Sequence, residues 1–350
     1  ATTGVDGAFV LPDVCPGPRL RVMQNGRFRR VLELEVPESG QIDLTAEQTR
    51  FPRLDAEGHN ADAIPRIAVA TGDYDKMECV LRKMGLADGS YDLYEGAKFL
   101  ESPDQPLPEF STLVNDLPKM KTYNIIFINC TEDTFEAELA KPGVRDNLEK
   151  YVRAGGRLYV TDWSYDWIEQ LGLLAPFIDF EPGPSEATPE PLNAAALGLG
   201  DITVNATIKD AQMAEWLGLF PGTINGTQVR IEHFIVDWVM INQSHADTKV
   251  WVEGDVDSCV PADPSCDAVT AIHGVRPLTV TFNFENCGKV LFTSYHTEGR
   301  DDEWPFDPIL MEKVPRPKPF PQYCEGGFSP QDRILEYLIF DIASCVKPVM

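Results

Sequence analysis

The chain has 350 residues, of which 43% are hydrophobic, 10% aromatic and 24% charged. At roughly 150 residues per domain this predicts two domains, or one large domain with an appendage, and it excludes a wholly disordered, collagen-like or coiled-coil chain. Fifty-five acidic against 30 basic residues give a formal net charge of −25, which repels phosphate backbones and anionic lipid and so argues against nucleic acid as a partner.

Residues 1–50 alternate short apolar runs with turn residues, predicting strands at Ala8 to Leu11, Arg19 to Gln24, Phe28 to Val36 and Gln41 to Leu44. The stretch Asp6-Gly7-Ala8-Phe9, followed by Pro16-Gly17, resembles the second half of a carboxypeptidase-regulatory-like β-sandwich. That resemblance implies a partial sandwich module over 1–50. A breaker-rich linker, 51–65, leads into a regime of buried apolar runs alternating with amphipathic segments, the βαβ signature of an α/β domain over 66–346.

Within that domain, strands are predicted at Ile67 to Ala70, Tyr91 to Tyr94, Asn124 to Asn129 and Arg157 to Thr161. Helices are predicted after Asp73, near Phe110 to Leu117, and from about Val144 to Arg153, stopping at Gly155-Gly156. The later half adds a helix at Ala211 to Leu219 and strands at Val229 to Ile235, Val250 to Glu253, Leu278 to Phe284 and Lys289 to Ser294. Prolines make 300–325 an irregular insertion, and Ser329, Pro330 and Asp332 start a final helix through Ala343. The fold class expected is α/β, flavodoxin-like, a mainly parallel sheet with helices on both faces.

Two strand ends stand out. One is Thr161-Asp162-Trp163-Ser164, where a strand turns into a helix; the other is Ser294-Tyr295-His296-Thr297-Glu298, where a late strand finishes in His-x-Glu. Ligands of open α/β sheets sit beyond the carboxyl ends of the strands, so both tips are expected to border one crevice. Trp163, Tyr165 and Trp167 are the candidate ligand contacts there.

These residues, with the Gly155-Gly156 strand and Tyr295-His296-Thr297-Glu298 in place of Phe-His-Pro-Glu, resemble the class I glutamine amidotransferase-like fold and its trehalose-utilisation (ThuA-like) branch, over about Ile64 to Ile342. The family places a nucleophilic cysteine at the elbow, activated by a helix N-terminus and a histidine. Here the elbow is Asp162-Trp163, and Cys130, which follows the preceding strand, does not align with it. The resemblance therefore implies an amidotransferase shape without its thiol, working by binding a small molecule or a cell-envelope component.

The alternative is a hydrolase. It would use Ser164 as nucleophile, His296 as base and Glu298 as orienter, or a divalent metal held by Asp162, His296 and Glu298, since carboxylate with imidazole suits zinc, manganese or iron. The plain roles are that Ser164 caps a helix and that His296 is simply paired with a carboxylate. His59, His233, His245 and His273 are expected to be structural or solvated. No nucleotide-binding glycine motif is present, and no cofactor is expected beyond that alternative metal.

The eight cysteines lack CxxC spacing. Cys259 and Cys266 flank a Pro- and Asp-rich turn and are expected to close a short disulfide loop; the remaining six could all pair, in about 15 ways. Ala70-Thr71-Gly72, Glu78 to Gly85, Cys287 to Phe292 and Phe340 to Val346 resemble secreted proteins and lipoproteins of myxobacteria. That resemblance, the disulfides and the lack of any apolar run of about 18 residues imply an extracellular, cell-surface or periplasmic protein, with any signal peptide or lipid anchor ahead of Ala1.

Overall fold

A computed structural model describes residues 8–72, 74–96, 106–131, 136–180, 192–198, 202–234, 238–259, 272–285, 287–297, 306–307, 312–313, 320–324 and 326–343. Strands β1 (Gly17–Asn25) and β2 (Phe28–Val36) form an antiparallel ribbon whose two-residue turn follows Asn25, as Asn-Gly between apolar runs dictates. Ala8 to Leu11 and Gln41 to Leu44, expected as strands, are irregular. Neither run joins a strand ladder among the described residues, and Val10 is 79% exposed. Among the described residues this region is a two-stranded ribbon and not a four-stranded unit. Its turn end joins the main core through Phe28, whose ring lies 5.7 Å from Phe51 and 5.0 Å from Phe340.

The main sheet has 12 strands. Those that position the site are β3 (Ile67–Ala70), β4 (Asp92–Tyr94), β5 (Ile125–Ile128), β6 (Arg157–Thr161), β7 (Ile202–Ile208), β8 (Gln228–Phe234), β9 (Lys249–Cys259), β10 (Ile272–Phe284) and β11 (Gly288–Thr293). They run in the order β8-β7-β9-β10-β11-β6-β5-β3-β4. From β11 to β4 every pairing is parallel, and from β8 to β11 every pairing is antiparallel.

The sheet is therefore mixed, which corrects the expectation of a mainly parallel one. Only three residues connect β10 to β11, and a parallel pair needs a crossover of about a dozen or more. Every residue of β3, β5 and β6 is buried, as strands covered on both faces must be.

Adjacent residues of these strands serve opposite faces. Val69, Phe127, Tyr159 and Leu291 pack under helices α1 (Met77–Lys83) and α4 (Pro330–Ala343), in the core that also takes Met213 and Leu217 of α3 (Ala211–Leu217). Ala68, Ile126, Leu158 and Val290 pack under α2 (Pro142–Arg153). Helix α2 ends where Gly155 takes φ +97°, and a Cβ on Gly156 would lie 2.4 Å from the Tyr151 ring. A disulfide between Cys79 and Cys324 and an ion pair of 2.9 Å between Lys83 and Asp332 tie α1 to the chain's last quarter.

Candidate functional site

β6 and β11 are neighbours in register, with Thr161 opposite Thr293, so the residues just beyond them emerge side by side. The structure brings Asp162 and His296 together: Nε2 of His296 lies 3.2 Å from Oδ2 of Asp162. Asp162 is fully buried and His296 is 4% exposed. Although that distance is short, the geometry is not aligned for a hydrogen bond, and Nε2 has no hydrogen-bond partner.

A third group joins them that sequence reasoning had set aside. Cys130, beyond the end of β5, is a buried thiol outside any disulfide, and its Sγ lies 3.7 Å from the same Asp162 Oδ2. Ligand atoms of Cys130, Asp162 and His296 all lie within 4.8 Å of one another. The neighbouring strand's carboxyl end was the signal: β5 pairs with β6 through Ile128 opposite Val160, and adjacent strands lie only about 4.8 Å apart.

The backbone makes the elbow. Asp162 has φ +43°, a left-handed conformation that costs a residue with a Cβ about 1–2 kcal/mol. It opens a short 3-10 turn, Asp162–Tyr165, before the helical turn Asp166–Glu169. The strain is held in place by Oδ1, which accepts 2.6 Å from the Val239 N–H, leaving Oδ2 free to face the thiol and the imidazole.

The surroundings fix each partner. The hydroxyl of Ser164 donates 2.8 Å to the Asn129 carbonyl, binding the elbow to the tip of β5. Asn129 in turn donates 3.0 Å to Glu78 Oε2, and Tyr323 donates 2.5 Å to Glu78 Oε1 beside the Cys79–Cys324 bridge. Gly72 permits this closeness, because a Cβ there would lie 2.3 Å from the Cys130 carbonyl oxygen. His296 is held through its neighbour: Thr297 donates from its hydroxyl and its N–H to Asp75 Oδ1 at 2.5 and 3.2 Å, and its carbonyl accepts from Ser329. Tyr74 stacks on the imidazole at 6.3 Å. Burial, reinforced by the charge of Asp75, holds the Tyr159 phenol well above its ordinary pKa, so it stays protonated and bonded to Thr293.

The other expected site residues fall elsewhere. Ser164 makes no hydrogen bond to His296. Tyr165 and Trp167 are fully buried, Trp167 edge-on to Phe110 and Tyr165 against Phe180, while Trp163 is partly buried against the same core. These rings pack the interior. Glu298, Cys266 and the side chain of Cys259 lie outside the described residues, as does most of 300–325. Of the six cysteines that could pair, Cys79 bonds Cys324 and Cys287 is disulfide-bonded, but Cys15 and Cys130 are in no disulfide. His59 and His245 lie within ion-pair distance of Glu33 and Asp247, and His273 is solvated between Asp255 and Asp257.

The order of the three groups decides their chemistry. A thiol nucleophile relays its proton through an imidazole to a carboxylate; here thiol, carboxylate and imidazole form a triangle with every ligand atom within 4.8 Å of the other two, and the carboxylate oxygen faces the thiol directly. The arrangement converges and does not relay. For tetrahedral zinc with Zn–N and Zn–O near 2.0–2.1 Å and Zn–S near 2.3 Å, ligand atoms stand about 3.3–3.7 Å apart. The separations of 3.2 Å and 3.7 Å fit such an edge length. The hydrogen bond from Val239 to the far carboxylate oxygen is the kind of outer contact that orients a metal ligand.

No protein-family model and no curated protein matches the chain. Among solved structures it is similar to a protein described as ThuA-like from Bacteroides uniformis, at 12% identity and TM-score 0.37 over 80% of this chain and 93% of that one. A second ThuA-like structure, from Parabacteroides merdae, is 12% identical with TM-score 0.35 over 65% and 78%. The mmIFT52 N-terminal domain is 9% identical with TM-score 0.40 over 81% and 99%. At these values the likenesses carry no weight beside the residues themselves. Among the described residues no helix is long and apolar enough to cross a membrane.

Proposed function

We propose that the chain is an exported α/β protein of amidotransferase-like, ThuA-like character that works by binding, and that its binding centre is a zinc-type site formed by Cys130, Asp162 and His296. The observation that carries this is the convergence of buried thiol, carboxylate and imidazole groups whose ligand atoms lie within 4.8 Å of one another. Imidazole, carboxylate and a soft thiolate together suit zinc over magnesium or calcium. Three protein ligands leave one tetrahedral position for water or for a group on a bound molecule.

Thiol amide transfer is disfavoured by the aspartate at the elbow and by a carboxylate oxygen that faces the thiol with no imidazole between them. A serine hydrolase would need a Ser164–His296 contact, and Ser164 instead donates to Asn129. Export is supported by the Cys79–Cys324 bridge, since disulfides persist in oxidising compartments. Elemental analysis of the full chain after zinc loading and desalting tests the site. About one zinc per chain, lost in His296→Ala with unchanged circular dichroism, is the expected result; zinc retained by that variant, or none in the wild type, overturns it.

A further inference from the structure

The opposite end of the same strands holds a cavity that the metal centre does not use. It has a volume of about 920 Å3 and lies between the tip of the β1–β2 ribbon and the amino-terminal edge of β5 and β6, with Arg27, Lys121 and Arg157 in its wall. Among the described residues no aspartate or glutamate lines it, in a chain with a formal net charge of −25.

Arg157 is the unusual member. It is the first residue of β6 and only 5% exposed. Among the described residues its side chain makes one hydrogen bond, 3.4 Å from Nη1 to the Gly155 carbonyl. Its Nε is buried without a partner, and none of the three cations forms an ion pair among the described residues. Buried charges are ordinarily paired, because desolvation is costly and a guanidinium cannot shed its proton. Burial, with the charge of Arg27 adding to it, disfavours the guanidinium as it stands.

We infer that this cavity is an anion-binding pocket, with Arg157 as the buried anchor and Arg27 and Lys121 at the rim, for a small molecule carrying a phosphate or carboxylate group. The planar fork of Arg157 matches either oxyanion. The volume is that of a pocket for a ligand of ordinary metabolite size. Gln24, Asn25 and Asn124 supply neutral amides around the charged group. The ribbon, otherwise a poorly covered appendage, gains a role as one wall of the pocket.

Isothermal titration of the full chain at low ionic strength with inorganic phosphate and, separately, with citrate tests this; the tighter anion identifies the ligand class. Arg157→Met is expected to weaken binding by about tenfold or more, and Arg27→Ala or Lys121→Ala by about threefold each. If Arg157→Met does not fold, the exposed pair Arg27→Glu with Lys121→Glu serves, with a loss of about tenfold or more expected. Binding of neither anion at millimolar concentration, or affinity unchanged in the folded variants, overturns the proposal. Because the pocket and the metal centre share no residue, failure of one leaves the other standing.

Discussion

Strand β6 carries Arg157 at one end and leads into Asp162 at the other, and the two ends of the sheet are built by opposite rules. At the carboxyl edge, a chain of buried hydrogen bonds runs from Glu78 through Asn129 to Ser164 and the Asp162 carboxylate is bonded to Val239, with His296 Nε2 left open toward the carboxylate. At the amino edge, a buried guanidinium faces an open cavity lined by other cations. Satisfied buried networks fix a geometry, whereas an unpaired buried charge is a standing cost until something binds it. The lesson is that substitutions at the first edge should cost stability and those at the second should not.

The largest effect should come from the clamp on the carboxyl edge. Replacing both Cys79 and Cys324 with serine opens a bridge between residues 245 apart in sequence and is expected to lower unfolding free energy by about 2–5 kcal/mol, read by urea denaturation. Gly72→Ala, which drives a Cβ to 2.3 Å from the Cys130 carbonyl, should cost about 1–3 kcal/mol and disturb zinc binding along with stability. A neutral result there would show that the tips of β3 and β5 are not in close contact.

Asp162 separates side-chain from backbone effects. Both Asp162→Ala and Asp162→Gly remove the acceptor of the Val239 N–H and should destabilise. The glycine variant is expected to be the more stable of the two by about 1 kcal/mol, because the left-handed φ of +43° suits it. Equal stabilities would contradict the strained elbow. At the other edge, Arg157→Met should be neutral or mildly stabilising in the absence of anions, since it removes a buried cation whose Nε has no partner and that forms no ion pair among the described residues. A loss of several kcal/mol would erase the contrast between the edges.

The smallest effect is expected at exposed His273. The hydrogen bond to Asp257 and the charge of Asp255 raise its pKa above the ordinary imidazole value. Folding therefore favours the protonated form, so the contribution is present below the unfolded pKa and fades as pH rises through the folded one. An NMR titration should place the His273 midpoint above that of a model imidazole, returning toward it in Asp257→Asn.

Most of the α/β frame was legible in the chain. Apolar runs such as Ile125–Ile128 are buried strands, Gly155 ends α2, and Ser329-Pro330 starts α4. Period-two alternation misled at Ala8 to Leu11, because a strand also needs a partner, which local pattern does not supply. The antiparallel half was missed for the same reason, since pairing direction follows from connection length and not from hydrophobicity. The approach of Asp162 to His296 could be read from strand-end logic. Cys130 could not be found by comparison with a family that keeps its thiol at the elbow, although counting all neighbouring strand tips would have included it. The Cys79–Cys324 pairing leaves no local trace.

The central claim is that three side chains from three strand ends share one metal ion, and cobalt substitution tests it most directly. Titration of the metal-free full chain with Co2+ should produce tetrahedral absorption together with a thiolate-to-cobalt charge-transfer band, the latter vanishing in Cys130→Ser while the protein stays folded. Absence of any cobalt spectrum, or a charge-transfer band that survives in Cys130→Ser, would contradict it.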